Sequence, residues 1–203
     1  MTNQIDSFRG EHEYLSCAYP CNIEFEGEIY PSVEHAFQAA KTSDVNARSS
    51  IRGAATSADA KGLGRKLVID PNWDSKRLDV MADLVKQKFT NNLDLKVKLL
   101  MTGTKDLVQG GMYKDKFWGI DKHGVGENHV GKILMKVRDS IRASEGGPET
   151  VFASYLSKNG LGFFADSLKN LREQARKLVD SQKSTGQISS ELSSLEEAVL
   201  TLE

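Results

Sequence analysis

Between Tyr30 and Lys41 the chain is apolar at Val33, Ala36, Phe37, Ala39 and Ala40, and polar side chains return at Glu34, His35, Gln38 and Lys41. Pro31 and Ser32 punctuate its start. With Ser32 as the cap, the spacing predicts a helix that nothing in the sequence stops before Lys41. Glu34, Gln38 and Lys41, at i, i+4 and i+7, then share one face, and Val33, Phe37 and Ala40 are expected on the opposite side. So apolar a helix belongs in an interior, where its carboxylate, amide and amine must be satisfied by one another or by a ligand. Two readings of the polar stripe stay open at this point. Glu34 and Lys41 can be a solvated pair on an outer helix face. Alternatively they line a cavity, where a carboxylate moves protons and a desolvated lysine becomes nucleophilic.

The rest of the pattern is mostly helical. Alternation in Asn22-Ile-Glu-Phe-Glu26 and again in Glu28-Ile-Tyr30, around Gly27, predicts a small hairpin leading into the central helix. Asp44 to Arg52 reads as a weak helix. Thr56-Ser-Ala-Asp59 is a capping box for a short helix through Lys61, ended by Gly62 and Gly64. Asp70-Pro-Asn-Trp-Asp74 turns into a long helix whose Leu78, Met81, Leu84, Val85 and Lys88-Phe89 recur at three- and four-residue steps, with Trp73 as a core anchor. Leu93, Leu95, Val97, Leu99 and Leu100 form a further helix stopping at Thr102-Gly103. Asp115 to Ile120 reads as a short strand, and turn-rich Gly124 to Asn128 feeds a helix from about Val130 to Arg142.

A composition break at Ser144-Glu-Gly-Gly-Pro148 separates the remainder. There Phe164, Leu168, Leu171, Ala175 and Leu178, and later Ile188, Leu192, Leu195, Val199 and Leu202, make two heptad-like seams of opposite charge. They are expected to pair with each other, with the domain or with another subunit, so a homo-oligomer built through them is one expectation. The fold class is therefore α+β: a helix-rich single catalytic domain with a small hairpin over residues 1–143, and a helical extension over 149–203.

Composition narrows the partners. The 203 residues carry 27 basic and 28 acidic side chains, a formal charge of -1, so no global field draws the protein to nucleic acid or an anionic membrane. Cys17 and Cys21 make neither a tetrahedral zinc site nor a disulfide framework, which suits a reducing cytoplasm. The first residues lack a basic and apolar leader pattern, and no window approaches a membrane-spanning run, so a soluble cytoplasmic protein is expected. The densest cluster of glycine and positive charge is Lys61-Gly-Leu-Gly-Arg-Lys66, which fits either a phosphate approach or a basic helix C-terminus. His123 and His129 lack a carboxylate at zinc-ligand spacing, and no metal site is expected.

Taken in order, these segments resemble the NADAR family of N-glycosidases from about Tyr14 to Arg142. The matching blocks are Tyr30-Pro-Ser-Val-Glu-His-Ala-Phe-Gln-Ala-Ala-Lys41, Ile51-Arg-Gly-Ala54 with Ala60-Lys-Gly-Leu-Gly-Arg65, Lys88-Phe89, Thr102-Gly103, Asp115-Lys-Phe-Trp-Gly119, and Gly126-Glu-Asn128 through Gly131-Lys-Ile-Leu-Met135. One departure stands at Cys17 and Ala18, where the family usually has asparagine and phenylalanine. The resemblance implies hydrolysis of the C–N bond between a ribose and an exocyclic amine. The substrate would be a small ribosylamino-pyrimidine phosphate of early riboflavin synthesis, or ADP-ribosylated guanine in nucleic acid. It further implies Lys41 as nucleophile through a Schiff base, Glu34 as proton-transfer group and Gln38 as the orienting amide. Asp115, Trp118, Gly119 and Asn128 would be pocket residues, and Arg65 and Lys66 phosphate contacts. No metal or cofactor is implied. The alternative reading is a module that binds ADP-ribose or a related nucleotide without cleaving it and uses the helical tail as an adaptor.

Overall fold

The computed structural model describes residues 3–110 and 115–159. It divides after Pro148 into two compact units. The first begins with strand β1, Gln4–Ile5, and a 3-10 helix, Gly10–Leu15. Strands β2, Ile23–Phe25, and β3, Glu28–Tyr30, then pair antiparallel with Ile23 opposite Tyr30. Glu26 and Gly27 both have positive φ, the two-residue turn whose twist suits such a hairpin.

Helix α1, Val33–Ala39, follows. Ser32 caps it as expected, its hydroxyl accepting from the His35 amide at 3.3 Å. The helix ends two residues earlier than the sequence pattern suggests: Ala40 is its C-cap. Lys41 and Thr42 continue in a tighter turn, their amides bonding the Gln38 and Ala39 carbonyls. Every residue of α1 except Glu34 is buried, which makes it the centre of the unit. Around it pack α2, Val45–Arg52, α3, Ser57–Gly64, and the long α4, Trp73–Thr90.

Asp44 caps α2, and the Thr56 hydroxyl caps α3 while bonding the Asp59 carboxylate at 2.7 Å. Gly62 and Gly64, expected to end α3, lie within it. Helix α4 buries Trp73, Met81, Leu84, Val85, Lys88 and Phe89, whereas Leu78, expected in the core, is 37% exposed. Helix α5, Leu93–Met101, and α6, His129–Glu145, pack on α4 and on each other. Buried Arg138 of α6 donates to Thr102 Oγ1 at 2.9 Å and to the Lys105 carbonyl at 2.8 Å. That pair of bonds fixes the turn after α5 from which strand β4, Asp106–Leu107, returns to pair parallel with β1.

The segment Asp115–Ile120 is a turn rather than the expected strand. Asp115 Oδ1 accepts from the amides of Phe117 and Trp118 at 3.1 and 3.3 Å, the local carboxylate–backbone bonding that competes with extended pairing. In the second unit the described element is α7, Pro148–Lys158. Both heptad-like seams lie outside the described residues. No helix among the described residues is long and apolar enough to cross a membrane.

Candidate active site

A cleft of about 310 Å³ opens over α1. Glu34, Phe37 and Gln38 of the helix and Lys41 just beyond it form one side, and Ser57, Ala58 and Lys61 of α3 face them. Ser16, Cys17 and Ala18 from the segment after the 3-10 helix, Met81 of α4, Gln109, Asp115, Trp118 and Val130 complete the wall. Phe37, expected opposite Glu34, is part of it too. Three residues along a helix turn through roughly 300°, which leaves Phe37 only about 60° from Glu34.

The polar groups are tied together in sequence. Gln38 Nε2 donates to Glu34 Oε1 at 2.7 Å, an i, i+4 bond across the cleft floor. Gln38 is 3% exposed, and its Oε1, like Gln109 Oε1, is a buried acceptor without a hydrogen-bond partner among the described residues. Glu34 is also held through its backbone, its amide donating to the Cys17 carbonyl at 2.9 Å. Lys41 is half-buried, with its ammonium 5.7 Å from the centre of the Phe37 ring. Burial pushes the Lys41 pKa below its ordinary value; the carboxylates of Glu34 and Asp115 oppose this, and the cations Lys61 and Arg65 reinforce it. The solvated-pair reading of Glu34 and Lys41 does not describe this arrangement.

Trp118 is 9% exposed and closes the opposite wall. Its ring meets Phe37 edge-to-face at 5.3 Å, and Phe37 in turn meets Trp73 at 5.0 Å. On its other side Phe117 lies 4.9 Å away, under the guanidinium of Arg77 at 3.8 Å. The result is a continuous aromatic brace from α4 across α1 to the Asp115 turn.

Of the residues singled out by sequence, Glu34, Gln38, Lys41, Asp115 and Trp118 converge on this cleft. The others stand outside its wall. Arg65 and Lys66 are exposed beyond the end of α3, and Arg65 reaches the site only through its field on Lys41. Gly119 is a buried backbone link, bonding Asp115 and Asn128. Asn128 caps α6 in the left-handed region. Its side chain is consumed by the backbone, Nδ2 donating to Leu107 O at 2.9 Å and Oδ1 accepting from Gln109 N at 3.0 Å. Asn128 thereby sets the position of Gln109.

Gln109, Ser57 and Met81 were not legible as site residues, because they come from three separate elements. Among the described residues no cluster of three or more His, Cys, Asp or Glu could hold a metal ion.

Residues 6–142 match the model of the NADAR domain. The chain belongs to the NADAR family. Among its relatives, a protein named riboflavin biosynthesis protein from Vibrio vulnificus is 37% identical over 133 residues, covering 64% of this chain and 36% of that one. The chain thus spans about a third of that relative. A protein named N-glycosidase from Nostoc punctiforme is 35% identical over 128 residues, covering 61% of this chain and 81% of its own length. The N-glycosidase YbiA of Escherichia coli is 33% identical over 121 residues, 59% of this chain and 75% of YbiA. The solution structure of YbiA superimposes with a TM-score of 0.63 at 29% identity, covering 71% of this chain and 88% of that one. Every NADAR-block residue on the cleft wall lies inside the matched segment.

Proposed function

We propose that this NADAR domain is an N-glycosidase that hydrolyses the C–N bond between a ribose and an exocyclic amine of a purine or pyrimidine base, with Lys41 as nucleophile. The observation carrying this is the convergence of Glu34, Gln38, Lys41, Asp115 and Trp118 on one cleft of about 310 Å³, a volume at the small end of ordinary ligand sites. The names of the Nostoc and E. coli relatives support the bond class, and that of the Vibrio relative supports an intermediate of riboflavin synthesis as substrate.

An exocyclic N-ribosyl linkage is an N,O-acetal, so the sugar ring opens to an imine between the base nitrogen and C1 as the N–H proton passes to the ring oxygen. Neutral Lys41 adds to C1, and Glu34 carries two protons in turn from the lysine nitrogen to the base nitrogen, one as the new C–N bond forms and one as the bond to the base breaks. The base then departs as its free amine and leaves Lys41 joined to C1 as a Schiff base. Water adds to C1, the lysine is expelled and the released aldehyde recloses to ribose. The addition needs Lys41 unprotonated, which the burial described above favours, whereas its expulsion returns a proton to the lysine nitrogen. Trp118 is suited to stack on the departing base, and Lys61 on the cleft wall, with the field of Arg65 beyond it, suits a phosphoribosyl or ADP-ribosyl group.

The test is incubation with a ribosylamino-pyrimidine phosphate and with ADP-ribosylated guanine, following base release by mass spectrometry. Cyanoborohydride should trap the sugar on Lys41, and Lys41→Ala should abolish the adduct. Trapping retained in that variant would move the nucleophile to Lys61. Binding of either compound without base release from the intact protein would favour a nucleotide-binding module.

A further inference from the structure

Gly64 is the last residue of α3, buried, and in ordinary helical conformation, so nothing in its backbone calls for glycine. Space does. A Cβ built there would come within 2.7 Å of Gln38 Cδ and 3.1 Å of Gln38 Cβ, and closest of all to Gln38 Oε1. That oxygen is the unpartnered buried acceptor described above, and the other end of the same amide holds Glu34 at 2.7 Å. Gly62, two residues earlier in the same helix, would place a Cβ in open space.

We propose that Gly64 is a positioning residue for Glu34 that acts through Gln38: the missing side chain lets the Gln38 amide lie against α3 with its nitrogen on the carboxylate. The colliding atoms are mostly the far end of a flexible side chain. A methyl group at Gly64 is therefore accommodated by rotating Gln38 aside, which leaves the fold intact and removes the hydrogen bond to Glu34. Alanine is also the better helix former. The signature is a loss of catalysis without a matching loss of stability, which a purely structural role for Gly64 would not give.

The proposal rests on Glu34 serving the reaction above, and its test separates the two. In Gly64→Ala, kcat should fall about tenfold or more, the scale of losing the support of a proton-transfer group. Its Tm should stay within about 4 °C of the parent. Gly62→Ala should match the parent in both. In Gln38→Ala the amide is gone and only the Cβ, 3.1 Å from the built atom, remains beside Gly64, so adding Gly64→Ala there should lower kcat no further and change Tm little. This holds the idea to account even if Gly64→Ala alone folds poorly. Parental kcat in Gly64→Ala, or losses that multiply in the double variant, would overturn the proposal. Should the parent show no turnover at all, the proposed reaction fails, and the side-chain amide resonances of Gln38 still decide the positioning. They should move in Glu34→Ala and in Gly64→Ala but stay put in Gly62→Ala; resonances unmoved in Gly64→Ala would sink it.

Discussion

Lys88 Nζ donates to the Ser16 carbonyl at 2.7 Å, so an amine on α4 holds the backbone that carries the Ser16–Ala18 side of the cleft. Lys88 is 1% exposed, and its ammonium lies 5.2 and 5.3 Å from the ring centres of Tyr19 and Phe89. Burial brings its pKa from 10.5 down to about 8, against the opposing pull of Cys17 and Cys21.

The stability of the protein should therefore rise with pH just above neutrality. Between the folded value of about 8 and the unfolded value of 10.5, the unfolded chain binds the proton that the folded chain has released, so unfolding becomes harder as pH increases. From pH 7 to pH 9 the gain should be about 1 kcal/mol. The Cys17 thiol, pushed by burial up to about 12, works in the opposite direction above its ordinary value of 9.0, because there the unfolded thiol ionises first. Denaturant unfolding should show the rise between pH 7 and 9 and no further gain beyond it. Lys88→Met should flatten the rise, and an unchanged slope in that variant would assign it to another group.

For Lys41 the neighbours set the sign of two shifts. Asp115 raises its pKa and Lys61 lowers it. If neutral Lys41 is the nucleophile, the acid limb of kcat/KM follows this amine. Asp115→Asn should move that limb to lower pH while keeping an oxygen to accept from the Phe117 and Trp118 amides. Lys61→Met should move it to higher pH. Rate profiles of the two variants that shift together, or not at all, would separate the limb from Lys41.

Much of this arrangement can be read from the residues, and the omissions have physical causes. The α1 block, its Ser32 cap and the Gly27 hairpin follow from spacing and turn chemistry, because each is local. Lys88 stands four residues after Leu84 and seven after Met81 and so was legible as a core position, yet its partner, the Ser16 carbonyl, is 72 residues away. The β1–β4 pair is two residues long on each side, too short to show any period. Phe117-Trp118 reads as strand by residue type, whereas the Asp115 carboxylate bonds the following amides and makes a turn. Gly62 and Gly64 look like a helix stop because sequence alone does not reveal that Gln38 needs the space beside one of them.

Trp118 should report on binding and folding separately. It forms part of the cleft wall while its edge contacts to Phe37 and Phe117 belong to the aromatic brace. Trp118→Phe keeps an aromatic in the brace but gives up stacking area, so KM should rise several-fold with kcat nearly constant. Trp118→Ala opens the brace as well and should cost about 3 kcal/mol of stability in denaturant unfolding. A Trp118→Phe enzyme with unchanged KM would remove this ring from the substrate.

The last prediction concerns residues 149–203, for which we propose helix pairing and no part in the chemistry. The family match ends at residue 142, and the residues of the cleft wall fall between Ser16 and Val130. The composition break at Gly146-Gly147-Pro148 coincides with the division of the chain into its two units. The cut belongs after Pro148: α6 continues to Glu145, whose carboxylate meets Lys96 Nζ at 2.8 Å, and ending the chain at Ala143 would remove that last turn. A chain ending at Pro148 should keep its turnover per folded molecule. Its oligomeric state should change if the two heptad-like seams pair between subunits, since seams this short are marginal alone. Sedimentation alongside the base-release assay reads both. A folded, monodisperse 1–148 chain with no turnover would show that the tail completes the site, and Lys169 and Arg172 would be the first residues to substitute.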